Sequence, residues 1–121
     1  MLTKKQIKEL KDHVHRKEER NEALARMFDA LSDPTRFRMF QLFLECEELC
    51  VTDVAEILDI SVPAASQQLK ILDFAGLLLK ERMGQMVCYR ARKESAPVVS
   101  LINFLKDKKF SFKNLLSFYS N

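Results

Sequence analysis

Glycine is nearly absent, with only two Gly among 121 residues. This scarcity argues against Gly-rich phosphate loops, dinucleotide-binding fingerprints and turn-dense β-sandwiches. No apolar run reaches the roughly 18 residues that span a bilayer, and the first residues lack the apolar stretch of a secretory signal. A chain of 121 residues that is 47% hydrophobic suffices for one domain with a single core. We therefore expect a small, mostly helical, cytoplasmic protein.

Cysteine is also scarce, and the number of Cys is odd. Three Cys in a chain without an export signal predict reduced thiols rather than a disulfide framework. The sequence contains no nucleophile with a base at motif spacing, no paired-carboxylate signature and no phosphate loop. We therefore do not expect an enzyme.

The net charge of +3 is unevenly distributed. Six acidic residues and no basic residue lie between Glu45 and Asp59, whereas five basic residues and one acidic residue lie between Lys80 and Lys93. This distribution fits a protein that presents one surface to a polyanion. Two solvated faces of opposite sign would give the same distribution, so charge alone leaves both interpretations open.

Helical spacing dominates the first part of the chain. Residues 1–22 are dense in charge and predict an exposed helical extension. An apolar stripe at helical spacing follows, formed by Leu24, Met27, Phe28 and Leu31. Asp33 is expected to cap the next helix, with Pro34 at its first position, and that helix should end near Glu45 or Cys46.

The middle of the chain has the outline of a helix-turn-helix. A short helix is predicted from Thr52 to Leu58, with Thr52 as its cap. After a tight turn, Ser61 is expected to cap a longer helix that ends at Gly76, a residue suited to a left-handed conformation. In such a motif the second helix, here Ser61–Ala75, is the one that enters the major groove of DNA.

A change of pattern after Gly76 predicts a β-hairpin. Two extended runs, 77–82 and 85–90, flank Gly84. Ser95 then precedes a final helix with an apolar stripe formed by Val98, Leu101, Ile102 and Leu105. The predicted fold is mostly α with a small β-hairpin wing, which is a winged helix-turn-helix in one domain.

Three segments carry a family resemblance: Leu31–Arg36 (LSDPTR), Glu48–Ala55 (ELCVTDVA) and Ser61–Leu79. In this order and spacing they resemble the ArsR/SmtB family of bacterial and archaeal transcriptional repressors, over about residues 30–91. The resemblance implies a winged helix-turn-helix that binds DNA and dimerises through its first and last helices. We accordingly divide the chain into an N-terminal extension (1–22), a DNA-binding core (23–93) and C-terminal dimerisation helices (94–121).

The candidate DNA-contacting residues lie on the recognition helix and the wing. If Ala65, Leu69 and Leu72 face inward, Gln67 and Lys70 face outward. Ser and Gln side chains can bond base edges, whereas Lys and Arg suit phosphates. An ordinary solvated helix would show the same polar face. The position of this helix between a helix-turn and a basic hairpin favours the interpretation that its polar face binds DNA. The predicted contacts are Ser61, Pro63, Ala64, Ser66, Gln67, Lys70, Lys80, Arg82, Gln85, Arg90, Arg36 and Arg38.

A dimer is expected because a single small module reads few base pairs, so such proteins pair on half-sites of an inverted repeat. The predicted interface consists of Leu24, Met27, Phe28, Leu101, Ile102 and Leu105, and Phe110, Phe112, Phe118 and Tyr119 are further candidates. These residues could instead pack in the chain's own core. Nine Phe give more apolar surface than one core of this size easily covers, which favours the homodimer.

The metal sites that the resemblance implies are incomplete. Members that bind arsenite, cadmium or lead use a Cys-x-Cys, because thiolates suit soft cations. This chain keeps Cys50 but has Thr52 at the second position. Zinc and nickel members use His and carboxylate on the last helix, and no His occurs from Ser95 to Lys109. We therefore expect no metal cofactor.

The candidate thiol sensor is the pair Cys46 and Cys50, which would approach each other if the third helix continued that far. Oxidation there could tilt the recognition helices of a dimer. Cys88 is expected to face inward from the wing. Free thiols are more often small core residues, and that interpretation is favoured; a metal site with His13 or His15 is the remaining alternative. For the whole chain, the alternatives are a winged-helix protein-interaction module without specific DNA binding, and a thiol- or metal-responsive binding protein.

Overall fold

The computed structural model describes residues 1–107 of the chain. In chain order the elements are α1 (Lys4–Arg16), α2 (Glu18–Leu31), α3 (Pro34–Glu45), β1 (Glu48–Cys50), α4 (Val51–Leu58), α5 (Val62–Phe74), β2 (Leu78–Met83), β3 (Met86–Ala91) and α6 (Ala96–Lys106). The expected order of helices, helix-turn-helix, hairpin and helix is confirmed. The part of the predicted C-terminal helices beyond residue 107 lies outside the described residues.

The N-terminal extension forms its own helix, α1. Thr3 caps it, since the Thr3 hydroxyl accepts a hydrogen bond from the Gln6 N–H at 3.1 Å. Every residue of α1 is exposed, as its charge density predicts. The helix ends near Lys17 and α2 starts at Glu18, so the expected boundary at residue 22 lies inside α2.

Several predicted helix termini are confirmed. The Asp33 carboxylate accepts a hydrogen bond from the Arg36 N–H at 3.0 Å, and the Ser61 hydroxyl accepts one from the Ala64 N–H at 3.2 Å. Gly76 has a φ of 83°, the left-handed conformation expected after α5. The predicted Thr52 cap is wrong, because α4 begins one residue earlier and the Cys50 N–H donates to the Asp53 carboxylate at 3.2 Å.

The wing has a third strand in addition to the predicted hairpin. The antiparallel sheet has the order β1-β3-β2, with Cys50 opposite Cys88. Met83 pairs with Met86, which leaves Gly84 (φ 65°) and Gln85 as a two-residue turn. Strand β1 therefore joins the start of α4 directly to the wing.

One core holds α2 to α6 and the sheet together. Met39 and Phe40 from α3, Leu69 and Leu72 from α5, and Tyr89 from β3 are fully buried within it. Helix α6 contributes Val98. No helix within residues 1–107 is long and apolar enough to cross a membrane.

Candidate nucleic-acid interface

Helix α5 presents the polar face that its sequence predicts. Ala65, Leu69 and Leu72 are fully buried, which orients the helix. The opposite side is open, with exposed Gln67 and Lys70. Of the other predicted contacts on this helix, Ser61, Pro63 and Ala64 are exposed and Ser66 is half-buried. The helix therefore offers a row of small and amide side chains with a single cation.

A cleft of about 380 Å³ lies between the start of α4, helix α5 and the wing. It brings together Ser66 and Lys70 from α5 with Lys80 and Gln85 from the wing. Thr52, the predicted cap of α4, lines the same cleft. Two ammonium groups beside hydroxyl and amide groups suit the phosphate backbone of a nucleic acid. Four of the predicted contacts thus meet in one place.

Arg90 does not point away from the protein as a phosphate contact would. Its Nε donates to the Glu81 carboxylate at 2.8 Å, and its Nη2 lies 2.6 Å from the Glu94 carboxylate. The contacts with Glu94 and then Glu81 raise the pKa of Arg90 above its ordinary value, and the Arg90 contact lowers the pKa of Glu94. Two ion pairs thus hold the Arg90 guanidinium beside the wing.

The acidic and basic stretches of the sequence lie side by side. Glu48 of β1 pairs with Arg90 of β3 in the sheet register. The Lys93 Nζ lies 3.3 Å from the Glu47 carboxylate, and the Arg92 Nη2 lies 3.6 Å from the Asp73 carboxylate. Acidic neighbours thus engage the basic residues at this end of β3. Of the other predicted wing cations, Lys80 is half-buried and lines the cleft, and Arg82 is exposed.

The two Arg of α3 also differ from each other. Arg38 is exposed. Arg36 is half-buried, and its Nε donates to the Ala30 carbonyl oxygen at 2.8 Å while its Nη1 donates to the Gln68 side-chain oxygen at 3.1 Å. These hydrogen bonds hold the Arg36 guanidinium against α2 and α5.

A second, apolar cavity of about 660 Å³ lies between α2 and α6. Four predicted interface residues line it, namely Leu24, Met27, Phe28 and Leu101. Phe28 is 63% exposed, far more than a core residue would be. Ile102 and Leu105 instead pack, half-buried, against the core. Phe104, which was not among the predicted interface residues, also lines the cavity. Its position three residues after Leu101 is the helical signal that could have identified it. The candidates Phe110, Phe112, Phe118 and Tyr119 lie outside the described residues.

The cysteines pair differently from the expectation. Cys50 and Cys88 form a disulfide with an S–S distance of 2.09 Å, and Cys46 is a free, exposed thiol. The predictions of reduced thiols and of a Cys46–Cys50 pair are therefore wrong. Helix α3 ends at Glu45, and β1 places Cys50 directly opposite Cys88. The inward position of Cys88 is confirmed, since it is fully buried.

The residues present do not fit the soft-metal site that the resemblance implies. The Cys50 sulfur is bonded to Cys88, and Thr52 supplies a hydroxyl where a thiolate is needed. Within residues 1–107, no group of three or more His, Cys, Asp and Glu is arranged to hold a metal ion. His13 and His15 are exposed on α1.

The sequence of residues 33–80 matches the family model described as "Bacterial regulatory protein, arsR family". The arsenic resistance transcriptional regulator ArsR1 of Pseudomonas putida is 41% identical over 68 residues, which cover 56% of this chain and 53% of that protein. The transcriptional repressor SdpR of Bacillus subtilis is 38% identical over 63 residues, which cover 52% of this chain and 69% of SdpR. The chain thus spans about half the length of the curated relative ArsR1 and about two thirds of SdpR.

Solved structures show the same fold. A homodimeric winged helix-turn-helix DNA-binding domain from Mycobacterium bovis, described as a possible ArsR-family transcriptional regulator, matches with a TM-score of 0.66 and 26% identity. The match covers 75% of this chain and 82% of that one. The winged helix-turn-helix therefore extends over most of the described residues.

Proposed function

Because this chain belongs to the arsR family of bacterial regulatory proteins, we propose that it is a transcriptional regulator that binds double-stranded DNA. It acts as a homodimeric repressor on an inverted-repeat operator. The observation that carries the proposal is the cleft in which Lys70 of α5 and Lys80 of the wing face the same space. Since its partner is DNA, we place the protein in the cytoplasm and assign it no enzymatic activity.

Helix α5 is the element that reads sequence in this proposal. Its 13 residues extend about 20 Å at the helical rise of roughly 1.5 Å per residue, which fits the major groove. Gln67 is the foremost base-reading residue, since an exposed amide can pair with adenine. The other contacts of α5 are Ser61, Pro63, Ala64, Ser66 and Lys70.

The wing supplies the phosphate contacts. Lys80 and Gln85 border the cleft, and exposed Arg82 lies near the turn of the hairpin. Arg38 is a further phosphate candidate because it is exposed on α3. Arg36 and Arg90 are left out of the interface, because their guanidinium groups are hydrogen-bonded within the protein.

The apolar cavity between α2 and α6 is the proposed dimer interface, with a second copy of the chain as its occupant. A half-open aromatic surface such as that of Phe28 is typical of an interface rather than of a solvated face. The related domain from Mycobacterium bovis is itself described as homodimeric. No resident metal forms part of the proposal.

Selection of DNA duplexes from a random-sequence library by the purified protein tests this function. We expect one inverted repeat to be enriched. Gln67→Ala should relax the preference for that repeat, with a loss of about 1 kcal/mol or more of discrimination, and leave binding to random duplex unchanged. Gln41→Ala is the matched control, because Gln41 is exposed on α3 and is not among the predicted contacts. Equal loss of specific and random binding in the Gln67 variant would contradict base reading.

A second candidate function is a redox response of DNA binding, which the Cys50–Cys88 disulfide favours because Cys50 also lines the cleft. In the reduced protein, the half-exposed Cys50 thiolate attacks a low-molecular-weight disulfide and releases one thiol. The Cys88 sulfur then attacks Cys50, forms the protein disulfide and releases a second thiol. The two protons leave with the two released thiols.

The bonded form holds the wing against the start of α4, so we expect it to bind the selected duplex about threefold more tightly through preorganisation. The measurement is the affinity in thiol and disulfide buffers. Cys46→Ala should respond like the wild type, whereas Cys50→Ala/Cys88→Ala should not respond. A wild type whose affinity is the same in both buffers would rule out the redox response.

A further inference from the structure

Arg36 stands at the junction of three helices. It lies in the first turn of α3, where the Asp33 carboxylate accepts its backbone N–H at 3.0 Å. Its Nε donates to the Ala30 carbonyl oxygen of α2 at 2.8 Å, and its Nη1 donates to the Gln68 Oε1 of α5 at 3.1 Å. One planar guanidinium therefore spans from the end of α2 to the middle of α5.

The contact with α2 satisfies a group that the helix cannot satisfy itself. Ala30 is among the last four residues of α2, whose carbonyls have no intrahelical partner, and it is buried. A cation is also favoured at a helix C-terminus. The hydrogen bond from Arg36 to the Ala30 carbonyl oxygen is therefore favourable for α2 as well.

The contact with α5 falls beside the base-reading candidate. Gln68 is half-buried and follows Gln67 directly, while Leu69 on its other side is fully buried. A hydrogen bond at Gln68 resists rotation of α5 about its own axis, and such a rotation would turn Gln67 away from the bases. Met27 of α2 also approaches the end of α5, since a Cβ placed on Gly76 would lie 3.3 Å from its terminal methyl group.

We propose that Arg36 is a positioning residue for sequence recognition, a role that rests on the proposed DNA-binding function. It sets the orientation of α5 relative to α2, which carries Leu24, Met27 and Phe28 of the apolar cavity. In the dimer, that orientation decides whether the two recognition helices enter successive major grooves together. Arg36 thus acts through Gln68 and without touching DNA.

The test uses the full chain and the duplex that the wild type enriches from a random library. Arg36→Lys keeps the positive charge but replaces the planar fork with a single ammonium group. We expect about tenfold weaker binding to the selected duplex, with random-duplex affinity and the salt dependence unchanged. Gln68→Met should give a similar loss, and the double variant should lose no more than either single variant. Arg26→Lys is the matched control, because Arg26 is exposed on α2 and is not among the proposed contacts, and it should bind like the wild type.

The possible failures are distinguishable. If the wild type enriches no sequence, the proposed function itself is wrong. If it does enrich one, either of two results would overturn the positioning role alone. The first is a double variant whose loss of affinity equals the product of the two single losses. The second is a Gln68→Met variant that binds the selected duplex as tightly as the wild type. A shallower salt dependence in Arg36→Met, which removes the charge, would show instead that Arg36 contacts a phosphate. Melting curves and sedimentation confirm that each variant is folded and dimeric, and Gln68→Met tests the link even if Arg36→Lys does not fold.

Discussion

The base and the tip of the wing both carry arginine, but in different environments. At the wing base, defined here as Cys88, Arg90 and Arg92, one side chain is in a disulfide and two are paired with carboxylates. At the wing tip, residues 82–85, Arg82 and Gln85 are exposed around the turn. Whether an Arg of the wing is ion-paired or exposed to solvent thus depends on which acidic residues the fold places beside it.

Helix α3 repeats this contrast over a single turn. Arg36 is engaged by α2 and α5, whereas Arg38, two residues later, is exposed. The difference follows from helix geometry, because residues two apart point to different sides. Counting basic residues therefore overestimates the charge available to a polyanion.

The largest expected effect comes from breaking the covalent link at the wing base. The disulfide closes a loop with a sequence separation of 38 residues, for which the loop-entropy relation gives about 4 kcal/mol of stabilisation. We expect Cys50→Ala/Cys88→Ala, or reduction of the wild type, to lower the free energy of unfolding by about this amount. Urea unfolding at one fixed protein concentration measures it. Cys46→Ala is the control, and equal stability of the oxidised and reduced wild type would contradict the prediction.

A smaller effect should separate the two Arg of the hairpin. Arg82→Ala at the tip should weaken binding to all duplexes alike and make the slope of log affinity against log salt shallower by about 0.9. Arg90→Ala at the base should leave that slope unchanged and instead lower the urea midpoint, because Glu81 and Glu94 lose their partner. The comparison fails if both variants change the slope equally.

The smallest effect concerns pH at the wing base. The Arg90 contact lowers the pKa of Glu94, so its stabilisation is present above the ordinary Glu pKa and is lost as the pH falls through the lowered value. We expect Glu94→Gln to lower the melting temperature slightly near pH 6, and the difference from the wild type to shrink towards pH 3. If the difference in melting temperature between the two proteins instead grows as the pH falls, the Arg90–Glu94 ion pair does not stabilise the protein in the expected way.

Much of the fold follows from local signals in the sequence. Asp33, Pro34, Ser61 and Gly76 mark helix termini that depend only on neighbouring backbone groups, and the structure has them as predicted. The inward face of α5 likewise follows from the spacing of its apolar residues. Strand β1 escaped prediction because its three residues are too few to show a period, and it forms only by pairing with β3.

The sequence by itself determined which residues could bind DNA, since residue type and helical spacing are local properties. Only the tertiary structure decided which of them are free to do so. Pairing of β1 with β3 joined Cys50 to Cys88 and left Cys46 alone, although Cys46 is much closer to Cys50 along the chain. Packing of α2 and α5 around α3 likewise engaged Arg36. The physical reason is that hydrogen bonds, ion pairs and disulfides depend on distance in space, which sequence separation does not reveal.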